Sequence, residues 1–198
     1  MILSDIAEGT KNTLVTTVKG ASDVATATRD AVKTQTVGTL KDIADISTAG
    51  MDAVVQVTTG AVAGAGEIGA SVGSVAKGAV TGTILGVSEV QGDVLVATKK
   101  AVWGTVKASA EVGGEVGEVA VAAVEGAIDA AGQVGVKTED AVREAAVGAV
   151  DAADAVGTEV GAAVRRALLS AASLPRDLIE AAIGGSKEEG GEEEQPSA

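Results

Sequence analysis

Carboxylates are the most numerous charged side chains in this sequence, and they recur at a fixed interval. Asp23, Asp45, Glu67, Glu89 and Glu111 stand 22 residues apart, and Glu111, Glu115 and Glu118 follow one another at helical spacing. Acids so placed could ligate a hard divalent cation or act as a general acid–base pair. Either task also needs a shielding pocket or a neighbour that sets the two pKa values apart. The chain has no His, no Cys, no Phe, no Tyr and one Trp, Trp103. That excludes imidazole and thiolate catalysis, disulfides and zinc sites of the Cys/His kind, and it leaves no aromatic wall for a pocket. No glycine-rich segment follows a strand and opens a helix, which excludes nucleotide loops. The acids are therefore expected to form a solvated face. No catalytic residue, metal site or cofactor is expected, and the chain is not expected to be an enzyme.

The basic residues form a series of their own: Lys11, Lys33, Lys77, Lys99, Arg143 and Arg165, interrupted by Val55 and Val121. They are too few to draw a polyanion. Net charge is −13, and between Ser109 and Val160 eleven acids face two bases, Lys137 and Arg143. Nucleic acid is not an expected partner, because phosphate neutralisation needs clustered Lys and Arg.

The elements that carry these series follow from the same period. Ile2, Val24, Ile46, Ile68, Val90, Val112, Val134, Val156 and Leu178 are all branched aliphatics. Val18, Leu40, Val62, Ile84, Val106, Ile128 and Val150 form a second aliphatic series, and Gly38, Gly60, Gly82, Gly104, Gly126 and Gly148 a glycine series. Twenty-two is two elevens, and eleven residues close three turns of a nearly undistorted α-helix. Apolar steps of three and four, as in Val80, Ile84, Val87 and Val90, exclude the strand alternation of two. The expected fold is all-α, with long amphipathic helices of 11-mer repeats, extended or folded into hairpins.

On such a helix the aliphatics fill an arc of roughly 160°, with the acids opposite and the Lys/Arg series along one edge. The expected apolar-surface stripe is Val24, Leu40, Ile46, Val62, Ile68, Ile84, Val90, Val106, Val112, Ile128, Val134, Val150 and Val156. Its interfacial basic edge is Lys11, Lys33, Lys77, Lys99, Arg143 and Arg165. About two dozen internal glycines each cost close to 1 kcal/mol against Ala. A lone helix of this kind should be mostly unfolded in water, and small side chains argue against a compact core. Nothing forbids helix from about residue 2 to 172. Gly60, Gly64, Gly69, Gly73, Gly78, Gly82 and Gly86 also recur at four-residue spacing, which would let helices approach closely. Three regions are expected: a repeat region over 1–172, a short helix over 173–183 after the break at Pro175, and a disordered acidic tail over 184–198.

Thr58-Thr59-Gly60-Ala61-Val62 and the run Ala76 to Thr83 resemble the 11-mer repeats of the perilipin lipid-droplet coat proteins. Lys137 to Val142 is similar to the shorter synuclein motif, the 22-residue unit to exchangeable apolipoproteins, and Thr28 to Thr34 to late-embryogenesis-abundant repeats. The resemblance implies helices lying flat on a lipid or other apolar surface. Residues 109–160 depart from the Lys-rich pattern of those families, which favours a neutral droplet or storage granule over an anionic bilayer. The expected function is a non-enzymatic coat, cytoplasmic and peripheral on that surface. A desiccation protectant and a self-associating bundle or filament are the alternatives. No apolar run is long enough to cross a membrane (residues 53–66 come nearest), so no transmembrane segment is expected. An extended-chain solenoid, or a compact self-sufficient globule, would undercut the coat reading.

Overall fold

The chain turns at intervals of 22 residues, and four of its turns are one device repeated. Gly69, Gln91, Gly113 and Gly135 all take left-handed backbone, with φ of 66°, 58°, 72° and 76°. One residue further on, the amides of Ala70, Gly92, Gly114 and Val136 donate back to the carbonyls of Ala65, Val87, Ser109 and Ala131 at 2.8–3.2 Å. This six-to-one bond closes a helix C-terminus and satisfies a carbonyl that would otherwise be orphaned. The next helix starts two or three residues later. Ser71 and Asp93 cap it, accepting from the amides of Ser74 and of Leu95 and Val96. Of the two forms expected, extended or folded into hairpins, the chain takes the second, with most helices about five turns long.

The structure, a computed structural model, describes residues 2–21, 23–43 and 48–185. Among these the helices are α1 (Ile2–Val18), α2 (Val24–Lys41), α3 (Thr48–Ile68), α4 (Val72–Glu89), α5 (Val94–Glu111), α6 (Val116–Val134), α7 (Thr138–Val156), α8 (Thr158–Ser170) and α9 (Arg176–Gly185). The fold is all-α, and no described residue lies in a strand. Asp45, Ile46 and the acidic segment 186–198 lie outside the described residues.

Every helix but α8 packs most extensively on a helix two places along the chain and less on its immediate neighbours, whereas α8 leans somewhat more on α7 than on α6. Two layers result, α1–α3–α5–α7–α9 and α2–α4–α6–α8. Gly78, Gly82 and Gly86 of α4 meet Ala25, Arg29 and Thr36 of α2 in that order, so helices within a layer run parallel. Helices joined by one short turn run antiparallel, which places them in opposite layers.

Between the layers lies the core. Val80, Ile84, Val87, Val102, Val106, Val124, Val142 and Val150 are buried there with a large complement of Ala. A second cluster, around Leu14, Val18, Val32, Val57 and Val75, fills the N-terminal end. The expectation that small side chains would not make a core is overturned. Side chains without bulk leave no void when the backbones themselves come close, and the glycines allow that approach. Beyond α8 the pattern shortens: the chain leaves helix at Ala171, Leu174 is buried, and Pro175 accepts from the amides of Leu178 and Ile179 to start α9.

Candidate functional site

The residues expected to touch lipid touch other helices. Leu40, Val62, Ile84, Val106 and Val150 are buried, none more than 2% exposed. Val24, Ile68, Val90, Ile128 and Val134 are half-buried and pack against the two core clusters. Among the described residues of the stripe only Val112 and Val156 stay open, at 46% and 44%. The series from Val24 to Val156 mostly falls where helices end: Ile68, Val134 and Val156 are last residues, and Val90 and Val112 follow them. It is therefore not a continuation of the Leu40 series along one rod. The chain reverses direction at these positions, and the side chains close the hairpin ends.

The glycine series lies along the seams within each layer. A Cβ on Gly60 or Gly82 would collide with the carbonyl oxygen of Ala7 or Arg29. On Gly104 it would stand 2.5 Å from Thr58 Oγ1, on Gly126 2.6 Å from Lys77 O, and on Gly148 2.5 Å from Lys99 O. Five members of one repeat position thus seat against the helix two places earlier, four of them on its backbone. The sixth, Gly38 in α2, has no such helix before it and faces open space. The four-residue runs behave unevenly. Gly78, Gly82 and Gly86 are all seated, whereas Gly69 is a turn residue and Gly73 has only ordinary contacts. Threonines share the seam: Thr81 Oγ1 lies 2.9 Å from Lys77 O and 3.0 Å from Gly126 O, donating across the α4–α6 contact.

The basic edge also faces inward along the layers. Lys11 pairs with Glu67 at 3.0 Å, Lys33 with Glu89 at 2.9 Å, Lys77 with Asp129 at 3.0 Å and Lys99 with Asp151 at 2.9 Å. Each pair joins a helix to the next in its own layer. Arg165 pairs with Asp154 across the α7–α8 turn, and Arg143 is exposed. The breaks in the series fall where the seat is Val55 or Val121. Partly exposed pairs like these contribute at most about 1 kcal/mol each. They set register more than stability.

Their electrostatics are consistent with that geometry. The hydrogen bond that Lys77 donates to Asp129 holds its ammonium above the usual range, and the bond that Lys33 donates to Glu89 holds that carboxyl below the ordinary glutamate range. A lowered folded-state pKa contributes stability above the unfolded value, and that contribution is lost as pH falls through the folded one. The Glu89 side-chain carbon, followed by NMR, should titrate below a free glutamate. In Lys33→Gln it should return to the ordinary range, and an unchanged midpoint would mean that the pair does not form.

Chemistry of other kinds finds little support. Glu111 ends α5, Glu115 precedes α6 and Glu118 lies in its first turn, so the bend at Gly113 parts acids that a straight helix would have stacked. No cluster of three potential metal ligands occurs among the described residues. Two shallow grooves of about 300 and 530 Å³ cross the α2–α4–α6–α8 layer. Their charged residues are largely committed to each other, Lys77 lying between Glu125 and Asp129. No described helix is long and apolar enough to cross a membrane. Trp103 of α5 is half-buried, one part packed against the main core cluster, with Lys107 Nζ 4.9 Å from its ring centre.

Helices stacked on their second neighbours at a constant period are the geometry of a helical repeat. The chain has that fold. It is similar to the crystal structure of a de novo designed helical repeat protein, at a TM-score of 0.50 and 20% identity, over 91% of this chain and 96% of that one. Likeness at that identity concerns the fold alone. No family model matches the chain, and no curated protein matches it.

The turn series was the feature that the period alone did not expose. Its signal is present in the sequence: Gly69, Gln91, Gly113 and Gly135 stand two residues before Ser71, Asp93, Glu115 and Lys137.

Proposed function

We propose that this chain is a non-enzymatic structural protein, a finite helical-repeat scaffold that works through the outer faces of its two layers. The seated glycines carry this reading. A helix adsorbed on lipid meets no neighbouring backbone and gains nothing from a missing Cβ, yet each glycine costs close to 1 kcal/mol of helix propensity. A glycine held at the same repeat position from Gly60 to Gly148 is the requirement of a close helix crossing. The repeat is thereby a packing period.

The open face of α2 argues against growth of a filament through that face. Where α4 presents Gly78, Gly82 and Gly86 to α2, the equivalent positions are Thr34 and Gly38 of α2 and Asp42 just past its end, all exposed and two of them polar. Terminal repeats with polar outer faces keep such arrays finite. In plain buffer the protein should be strongly helical by circular dichroism, melt cooperatively and sediment as a monomer. A chain that is disordered in buffer and gains helix only on a neutral-lipid emulsion would overturn the scaffold and restore the coat.

That coat, on a droplet or storage granule and perilipin-like, is the second reading, and one observation favours it. The largest fully buried side chains are Leu, Ile and Val, and the helices of a layer are clasped by partly exposed ion pairs. Opening such an array onto an apolar surface exchanges one apolar environment for another. In this reading the buried Leu40, Val62, Ile84, Val106 and Val150 become lipid contacts only after the layers separate.

A further inference from the structure

The repeat makes each exposed position comparable with its counterparts, and one helix departs from the rest. On the outer side of α5 stand Val96, Lys100, Trp103 and Lys107, at the spacing of one helical face. The same positions in its layer neighbours are Asp52, Gln56, Thr59 and Ala63 on α3, and Asp140, Glu144, Val147 and Asp151 on α7. Val96, 43% exposed, replaces an acid, and Lys100 and Trp103 replace neutral or acidic side chains. Lys99 beside them is neutralised by Asp151, whereas Lys100 and Lys107 are exposed. Lys107 lies against the indole, so the ring and its cation present one amphipathic surface. A groove of about 280 Å³ lies alongside, lined by Lys99, Lys100, Trp103 and Asp151.

We propose that this face of α5 binds an acidic, extended segment of a partner polypeptide, its carboxylates on Lys100 and Lys107 and an apolar side chain against Trp103 and Val96. Charge complementarity gives the sign, since this basic face belongs to a chain of net charge −13. Width decides against a planar anionic surface. A membrane laid on α5 would also meet Asp52 on α3 and Asp140 and Glu144 on α7, and would be repelled by them. A single strand is narrow enough to follow α5, and Asp151 of α7, which borders the groove, is already paired with Lys99. Lys100 and Lys107 are seven residues apart, about 10 Å along the helix axis, which matches carboxylates three residues apart on a polyproline II segment, where every third side chain returns to the same face.

The proposal rests on the scaffold reading, and the experiment separates the two. Trp103 is the one aromatic residue, so intrinsic emission reports on this face alone. The full-length protein is titrated with a synthetic peptide alternating glutamate with leucine and serine, with its glutamine counterpart, and with anionic phospholipid vesicles. The expected result is a saturable emission shift with the glutamate peptide only. Lys100→Gln combined with Lys107→Gln should weaken it at least about tenfold, as loss of charged interface partners does. An absent shift, an equal shift in the double variant, or a shift with vesicles alone overturns the proposal. A variant with all five tail glutamates, Glu188, Glu189, Glu192, Glu193 and Glu194, changed to Gln is measured in parallel. If that change alone moves the emission, the occupant is the chain's own acidic segment and the partner proposal falls. Circular dichroism of each variant reports on the scaffold separately, since a cooperative helical melt persists whichever way the peptide result falls.

Discussion

Gly82→Ala should destabilise the protein and Gly38→Ala should stabilise it, although both glycines occupy the same repeat position. Alanine in a helix is favoured over glycine by close to 1 kcal/mol, and at Gly38 nothing stands within 4 Å of the added Cβ. That variant should melt about 2–4 °C higher, the usual return on 1 kcal/mol in a chain of this size. At Gly82 the Cβ runs into Arg29 O and comes within 3.0 Å of Lys33 N. Both are backbone atoms of α2 and have no rotamer in which to retreat, so α4 must shift away from α2 along the seam. Overpacking of this kind costs about 1–3 kcal/mol and outweighs the propensity gain. The melting midpoint should fall by several degrees, and larger residues at Gly82 should lower it further. Thermal melts of the two variants beside the parent check the pair. Two rises of equal size would mean that no helix lies against Gly82, and the layered array would be wrong.

The contrast between these glycines also shows what the sequence disclosed and where it stopped. Period, helical character and the break at Pro175 follow from residue types alone. The aliphatic series fixes the first two, and proline cannot sit inside the ladder. The turns were hidden by the abundance of glycine. Among 27 glycines, those at 69, 113 and 135 look no different from the seated ones, and at position 91 the left-handed residue is Gln. With no bend recognised, Ile68, Val90 and Val112 fell onto the same face as Ile84 and Val106, and Glu111, Glu115 and Glu118 onto one acidic ridge. The basic residues were found but not their partners. Lys33 meets Glu89 and Lys99 meets Asp151, contacts between second-neighbour helices that a straight rod would hold tens of ångströms apart. Composition misled for a physical reason. A core of Ala and Val is poor only at ordinary interhelical distance, and the seated glycines remove that distance.

Deletions of different length separate the layered array from a flat-lying stripe with the largest effect. On a stripe any eleven residues are dispensable, because three full turns restore every side chain to its face. In the array the indivisible unit is a pair of helices, since each helix rests on its second neighbour. Deleting Val94–Lys137 removes α5 and α6 with their turns and joins Asp93 to Thr138. Helix α7 then takes the place of α5 against α3, with Gly148 in the seat of Gly104, and α8 takes the place of α6 against α4. This shorter chain should remain helical and melt cooperatively in plain buffer, at a lower midpoint because Lys77 loses Glu125 and Asp129. Deleting only Val94–Gly104 leaves α5 seven residues, about 10 Å of helix where its neighbours need more than twice that. The core beside Val80, Ile84 and Val142 would lose its cover, and the cooperative melt and much of the helicity should go with it. The smaller deletion thus does the greater damage, an order that a stripe on a lipid surface cannot produce. If the eleven-residue deletion keeps its helix and the longer one does not, the helices are not stacked on their second neighbours.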